Sequence, residues 1–105
     1  MADIKETARR RVLDAQDRLF ELSRWMYENP ETAYEERRSS ARLAQFLEEA
    51  GFTVEVPAYG LETAFVARAG ASGPQVVVCA EYDALPGVGH ACGHNIIATA
   101  ALGAG

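Results

Sequence analysis

The chain has 105 residues, of which 49% are hydrophobic and 24% are charged, and its formal net charge is -5 at pH 7. These values fit one small globular domain, or part of one, over residues 1–105. The acidic balance argues against a nucleic-acid partner, because phosphate binding requires clustered lysine and arginine. The short basic run Arg9 to Arg11 lies among mixed charges and is interpreted as a solvated surface.

The N-terminus and the two cysteines indicate the compartment. The first residues lack the apolar core of a signal peptide, and no apolar run reaches the roughly 20 residues that a membrane span needs. Cys79 lies in an apolar run and Cys92 beside histidines, which is not the pattern of a disulfide framework. We therefore expect a cytoplasmic protein with no membrane partner.

The first predicted element is one long amphipathic helix. Apolar residues recur every three or four positions from Ile4 to Met26, with charged residues between them. This spacing predicts an apolar stripe that faces a core. Pro30 ends the helix after Asn29, because proline donates no helical hydrogen bond and disfavours the helical conformation of the residue before it.

A second helix is predicted over residues 31–50. Its acidic first turn is favourable against the positive end of a helix. Leu43 and Leu47 lie on one face, and Gly51 follows the helix as the expected C-cap.

Three strands are predicted next. Residues 52–56 alternate apolar with polar side chains, as in a strand covered on one side, and residues 63–69 form a second strand. A glycine- and proline-containing turn then leads into residues 75–80 as a hairpin. That last run is continuously apolar, which is typical of a central strand buried on both faces, and Cys79 is expected to be a small core residue.

The chain closes with residues 96–105, which are small and apolar on all sides and predict a helix buried against the sheet. The predicted fold is therefore α/β in layers, with two N-terminal helices, a small sheet centred on Val76 to Ala80 and a buried C-terminal helix. So apolar a helix needs cover on every side, which these elements hardly provide. We interpret the chain as a fragment of a larger protein.

Residues 81–95 concentrate the chemically active side chains. They hold both histidines, one of the two cysteines and two carboxylates, directly after the predicted central strand. Reactive groups of open α/β sheets collect at such strand ends. Imidazole and thiolate suit zinc, and Cys92 and His94 are spaced so that an extended loop can direct both at one ion. Asp83 can bind metal or hold a ligand in place.

The carboxylate of Glu81 and the ring of His90 are weaker candidates for the same site. Each residue also has an ordinary structural role open to it: Asp83 can cap a turn, the histidines can be hydrogen-bonded loop residues, and Cys92 can be a buried thiol. Their coincidence at a strand end favours a metal site over those roles. A thiol switch between Cys79 and Cys92 is disfavoured, since Cys79 is expected to be buried.

The motifs resemble a known family of zinc amidohydrolases and peptidases, which includes aminoacylases, carboxypeptidase-G-type enzymes and auxin-conjugate hydrolases. Asp83 to Pro86 followed by His90 to His94 is similar to the signature of the amidohydrolase branch. Asn29 to Glu31 resembles that branch's N-terminal pattern, with Asn29 in place of its usual histidine. Glu81 and Asn95 are more similar to the aminoacyl-dipeptidase and aminobenzoyl-glutamate hydrolase sub-branch.

The resemblance implies roles for three residues. Cys92 and His94 would be metal ligands, with Cys92 in a bridging place, and Asp83 would be the catalytic aspartate. The implied cofactor is Zn²⁺, or Mn²⁺ or Co²⁺ in its place, with two ions in the complete enzyme. The implied fold is the N-terminal part of a three-layer α/β zinc-peptidase catalytic domain, with the lid and dimerisation domain absent.

The resemblance also implies an activity. The complete enzyme would use metal-activated water to hydrolyse an amide bond of a small N-acyl amino acid or dipeptide, and it is expected to form a homodimer. The family's general-base glutamate and remaining ligands are not found in the sequence, so the chain alone is expected to be a weak or inactive hydrolase. The alternative is a non-enzymatic interaction or regulatory fragment that uses its amphipathic helices as a binding surface.

Overall fold

The computed structural model describes residues 3–105, which form four helices and one two-stranded sheet. The strands β1 and β2 are antiparallel, with Thr53 opposite Arg68. No helix within residues 3–105 is long and apolar enough to cross a membrane. The elements in chain order are α1 (Ile4–Asp14), α2 (Gln16–Glu28), α3 (Arg37–Glu49), β1 (Thr53–Glu55), β2 (Val66–Arg68) and α4 (His94–Ala104).

The predicted long N-terminal helix is divided into α1 and α2 at Ala15, whose φ and ψ are -90° and 1°. The apolar stripe faces the core only in α2, where Leu19, Leu22 and Met26 are buried. No residue of α1 is buried, and Ile4 is 82% exposed. The predicted core-facing stripe is therefore wrong for α1, since no other element covers its apolar face. The predicted end before Pro30 is confirmed.

The start of α3 differs from the prediction because Glu31 lies ahead of the helix and caps it. The Glu31 carboxylate accepts hydrogen bonds from the backbone N–H groups of Ser39, at 2.6 Å, and Arg38, at 3.2 Å. These N–H groups lie in the first turn, where a helix has no carbonyl partners for them. A negative charge there also interacts favourably with the helix dipole. The helix consequently begins at Arg37 rather than at residue 31.

The end of α3 is the glycine cap that the sequence predicts. Gly51 has a φ of +101°, the left-handed region that favours glycine. Its N–H donates to the carbonyl of Glu48, and the N–H of Phe52 donates to the carbonyl of Leu47. These two bonds form a Schellman motif, which turns the chain directly into β1.

The core lies where α2, α3 and α4 meet the segment that contains Tyr82. Gly103 allows a close approach of α4 to α2, because a Cβ atom there would lie 3.2 Å from a methyl carbon of Leu19. The buried residues of this cluster are Leu22, Met26, Leu43, Leu47, Tyr82, Ala98 and Leu102.

The prediction of a buried central strand over residues 75–80 is wrong. Val76, Val77 and Val78 are 89%, 80% and 51% exposed, and the segment is not part of a sheet. The physical reason is that β1 and β2 pair with each other, so no strand lies beside the valines. The predicted hairpin between residues 63–69 and 75–80 is replaced by the β1–β2 pair. Cys79, predicted to be a core residue, is exposed.

The C-terminal helix is buried on one side only. Ala98 and Leu102 lie in the core, whereas Ile96 and Ile97 are 64% and 41% exposed. The predicted all-round burial of this helix is therefore wrong, because α2 packs against one face and no element covers the other. The helix also begins earlier than predicted, at His94.

The cap at Glu31 leads to a test by Glu31→Gln. Burial raises the pKa of Glu31, but hydrogen bonds from Ser39 and Arg38 outweigh it and bring the pKa below the usual 4.5. The charged form therefore stabilises the fold above pH 4.5, and this contribution is lost as the pH falls through the lower folded pKa. We expect Glu31→Gln to cost about 1 kcal/mol at pH 7, as measured by urea unfolding.

The matched control for this test is Glu35→Gln, because the Glu35 side chain is exposed. The difference between wild type and Glu31→Gln should narrow as the pH falls below 4.5. Equal stability of the two glutamine variants at pH 7 would contradict the role of Glu31.

Candidate metal centre

The loop that precedes α4 carries the predicted site residues, and its end is fixed by a glycine and an asparagine. Gly93 has a φ of +86°, and His94 after it is the first residue of α4. The next residue, Asn95, is buried and donates its side-chain amide to the Oγ of Ser23, at 3.3 Å. Because Ser23 belongs to α2, these contacts position His94 relative to the core.

Asp83 and His94 form the central pair of the site. The Nδ1 of His94 lies 2.7 Å from Oδ1 of Asp83 and 2.9 Å from the Asp83 carbonyl oxygen. Both partners are acceptors, so Nδ1 carries the proton and donates it. The other ring nitrogen, Nε2, then has a lone pair for a metal ion. A carboxylate that orients a histidine in this way is a common neighbour of metal ligands.

His90 is the site residue that the sequence reasoning underrated. Its side chain is 7% exposed, and neither ring nitrogen has a hydrogen-bond partner among the described residues. Burial lowers the pKa of His90, the charge of His94 lowers it further, and Asp83 opposes both effects. A buried imidazole without partners is unfavourable. The only sequence signal was its place in the alternation of His90, Cys92 and His94.

The remaining candidates lie at the surface. Cys92 and Glu81 are exposed. Within residues 3–105, no three histidine, cysteine, aspartate or glutamate side chains converge to hold a metal ion. The described residues thus bring Asp83 and His94 into contact, whereas metal binding by Cys92 and His94 remains a prediction.

Two concave regions lie beside this loop. One of about 340 Å³ is bounded by Pro30, Thr32 and the loop from Ala84 to Gly89. The other, of about 320 Å³, includes Asp83 itself. Two further carboxylates, Glu36 and Glu81, also border the second region. These spaces could each receive part of a small molecule next to Asp83.

Tyr82 anchors the chain directly before Asp83. Its hydroxyl donates to the carbonyl of Thr63, and its ring stacks on Phe65 with centroids 5.8 Å apart. Burial raises the pKa of Tyr82 to about 12, and the charge of Glu36 contributes to the increase. The neutral, buried phenol therefore holds this segment against the core at all ordinary pH values.

Comparison with known proteins identifies relatives that match nearly the whole chain. The chain is 44% identical over 112 residues to Xaa-Arg dipeptidase of Mus musculus, which covers 96% of this chain and 26% of the relative. It is 35% identical over 119 residues to a subunit of p-aminobenzoyl-glutamate hydrolase of Escherichia coli, covering 97% and 23% respectively. It is 33% identical over 117 residues to thermostable carboxypeptidase 2 of Saccharolobus solfataricus, covering 96% and 30%.

These relatives confirm the resemblance seen in the motifs around Asp83 and His94. Two of their names are a dipeptidase and an aminobenzoyl-glutamate hydrolase, the sub-branch to which Glu81 and Asn95 pointed. No protein-family model matches the chain. The chain spans about a quarter of the length of the curated relatives it matches.

The anchoring of the site segment leads to a test by Tyr82→Phe. This change removes the hydrogen bond to Thr63 and leaves a buried carbonyl without its donor, which should cost about 1–2 kcal/mol in urea unfolding. The control is Tyr27→Phe, since Tyr27 is 64% exposed and its hydroxyl should contribute little. An equally small effect of both changes would show that Tyr82 does not anchor the segment.

Proposed function

We propose that this chain, which belongs to the family of hydrolases that includes Xaa-Arg dipeptidase, p-aminobenzoyl-glutamate hydrolase and the thermostable carboxypeptidases, forms part of a metal-dependent amidohydrolase. The substrate would be a dipeptide or a small N-acyl amino acid. The observation that supports this most is the hydrogen bond of 2.7 Å between Asp83 and His94.

The donor set fits a metal ion in its chemistry. His94 has its Nε2 available because Asp83 engages Nδ1. Cys92 is two residues away with an exposed thiol, and a thiolate is a strong ligand for zinc. The unpartnered ring of His90 shows that the surrounding pocket is polar but not internally satisfied. Cys92 and His94 would therefore hold Zn²⁺, Mn²⁺ or Co²⁺, with the other ligands supplied from outside the described residues.

The work of the chain's own residues follows from this geometry. Asp83 fixes the tautomer and orientation of His94 and makes its Nε2 a better electron donor. Tyr82 and Asn95 hold the two ends of the loop at fixed positions. When bound, the metal would supply the Lewis acidity that promotes attack of water on the amide carbonyl. The concave region that includes Asp83 provides space for the scissile bond.

A non-enzymatic interaction role is the alternative. The observation in its favour is the exposed apolar face of α1, which includes Ile4 and Val12. Membership in a family of hydrolases favours the enzymatic proposal, since α1 lies outside the motif that the relatives' names explain.

Cys92→Ser tests the proposed ligand directly. In the 105-residue chain, zinc should slow alkylation of Cys92 by iodoacetamide, because a metal-bound thiolate is a poorer nucleophile. Since a hydroxyl is a far poorer zinc ligand than a thiolate, Cys92→Ser should lose most of the bound zinc measured by equilibrium dialysis.

Cys79→Ser is the matched control for the cysteine test. Because Cys79 is exposed, its replacement should affect neither stability nor zinc content. This corrects the expectation from its predicted burial, under which a serine there would have destabilised the core. Equal zinc binding by wild type and Cys92→Ser would show that Cys92 is not a ligand.

A chimera tests the proposed activity. Residues 1–105 would replace the matching quarter of the mouse dipeptidase, to which they are 44% identical. The chimera should hydrolyse dipeptides ending in arginine in a chelator-sensitive manner, and Asp83→Ala within it should lower kcat/KM by about 10–100-fold. The 105-residue chain alone should show no comparable turnover.

Two results would contradict the proposal. One is a folded chimera, verified by circular dichroism, that binds zinc but hydrolyses no amide substrate. The other is rapid, chelator-insensitive hydrolysis by the chimera, which would show that metal is not required.

A further inference from the structure

The segment Gln75–Cys79 is an exposed strand-like stretch without a neighbour. Its three valines are 89%, 80% and 51% exposed. Among the described residues, no backbone-to-backbone hydrogen bond involves residues 75–80. The stretch contains no charged side chain and is rich in β-branched residues. Such a segment, with its N–H and C=O groups unused, is suited to accept another strand along its edge.

We propose that this segment pairs with the same segment of a second copy of the chain. The two strands are antiparallel and are related by a two-fold axis that passes beside Val77. In this arrangement Val77 lies opposite Val77 of the second copy, and Val76 lies opposite Val78 of the second copy. An isologous contact of this kind uses the same surface on both chains and closes as a dimer.

The distribution of charge favours the antiparallel arrangement. Glu81 is the charged residue nearest to the valines. In a parallel, in-register pair it would lie opposite Glu81 of the second copy, and like charges opposite each other are destabilising. In the antiparallel register about Val77 it lies opposite Gly73 of the second copy instead. Electrostatic repulsion therefore opposes the parallel pair and leaves the antiparallel pair unaffected.

The flanking residues favour the register centred on Val77. Pro74 then lies at the end of the paired region, opposite Ala80 of the second copy, where its missing N–H interrupts no internal bond. The register also brings all three valines of each copy into cross-strand pairs, the contacts that stabilise a sheet. A ribbon this short buries less than the roughly 1,200 Å² of a standard interface, so the dimer is a weak one.

The first test is the mass of the 105-residue chain in solution, measured by light scattering. The wild type should change from one-chain to two-chain mass as the concentration rises from about 10 µM to about 1 mM, the range of a weak complex. Val77→Asp should weaken association at least about tenfold, because it places two carboxylates opposite each other at the axis. Val88→Asp is the control, since Val88 is 67% exposed and lies outside the segment.

The second test fixes the register by cross-linking. Both native cysteines are replaced by serine, and Val77→Cys is added. Mild oxidation should convert this variant to a covalent dimer, because opposite residues of an antiparallel pair are within reach of a disulfide. Val88→Cys in the same background should remain mostly single-chain.

Four results would overturn the proposal. They are a single-chain mass at every concentration, equal weakening by Val77→Asp and Val88→Asp, equal cross-linking through both new cysteines, and, in a polypeptide that continues past Gly105, a monomer whose Val77→Cys thiol resists alkylation. The last result would mean that the segment pairs within its own chain. None of these outcomes depends on metal or hydrolysis, so failure here is distinguishable from failure of the proposed function.

Discussion

The candidate site depends on the two hydrogen-bonding ends of Glu31. Its side-chain carboxylate accepts the N–H of Ser39 at the start of α3, at 2.6 Å. Its backbone carbonyl accepts the N–H of Ala84, at 2.7 Å. One residue therefore connects the first turn of α3 with the segment that carries Asp83. Because α3 places Leu43 and Leu47 in the core, the site segment is tied to one of the most deeply buried elements.

The sequence predicts correctly those features that depend on a few neighbouring residues. Pro30 ends α2 and Gly51 ends α3 because each restricts or permits particular backbone angles. The burial of Val76 to Val78 could not be derived in this way. Their composition shows that a strand would suit them, but burial also requires a neighbouring strand. The same limit applies to α1, whose apolar stripe is periodic but faces no partner.

The site shows the same division between local pattern and packing. The concentration of ligand-type side chains in residues 81–95 predicts where chemistry would occur, and the suggestion that Asp83 holds a ligand in place agrees with its contact to His94. The burial of His90 is different, because it depends on how the whole loop folds against its neighbours. No spacing rule distinguishes an exposed loop histidine from a buried one.

The position of His94 has a consequence for the energetics of folding. His94 is the first residue of α4, and the same helix contributes Ala98 and Leu102 to the core. An ion bound through its Nε2 would therefore favour the folded over the unfolded chain by mass action, by about 2.7 kcal/mol when the free ion is at a hundred times its dissociation constant. Ion affinity and melting temperature would thus be two measures of one thermodynamic linkage. Substitutions far from the loop that loosen α4 would weaken ion binding without touching a ligand.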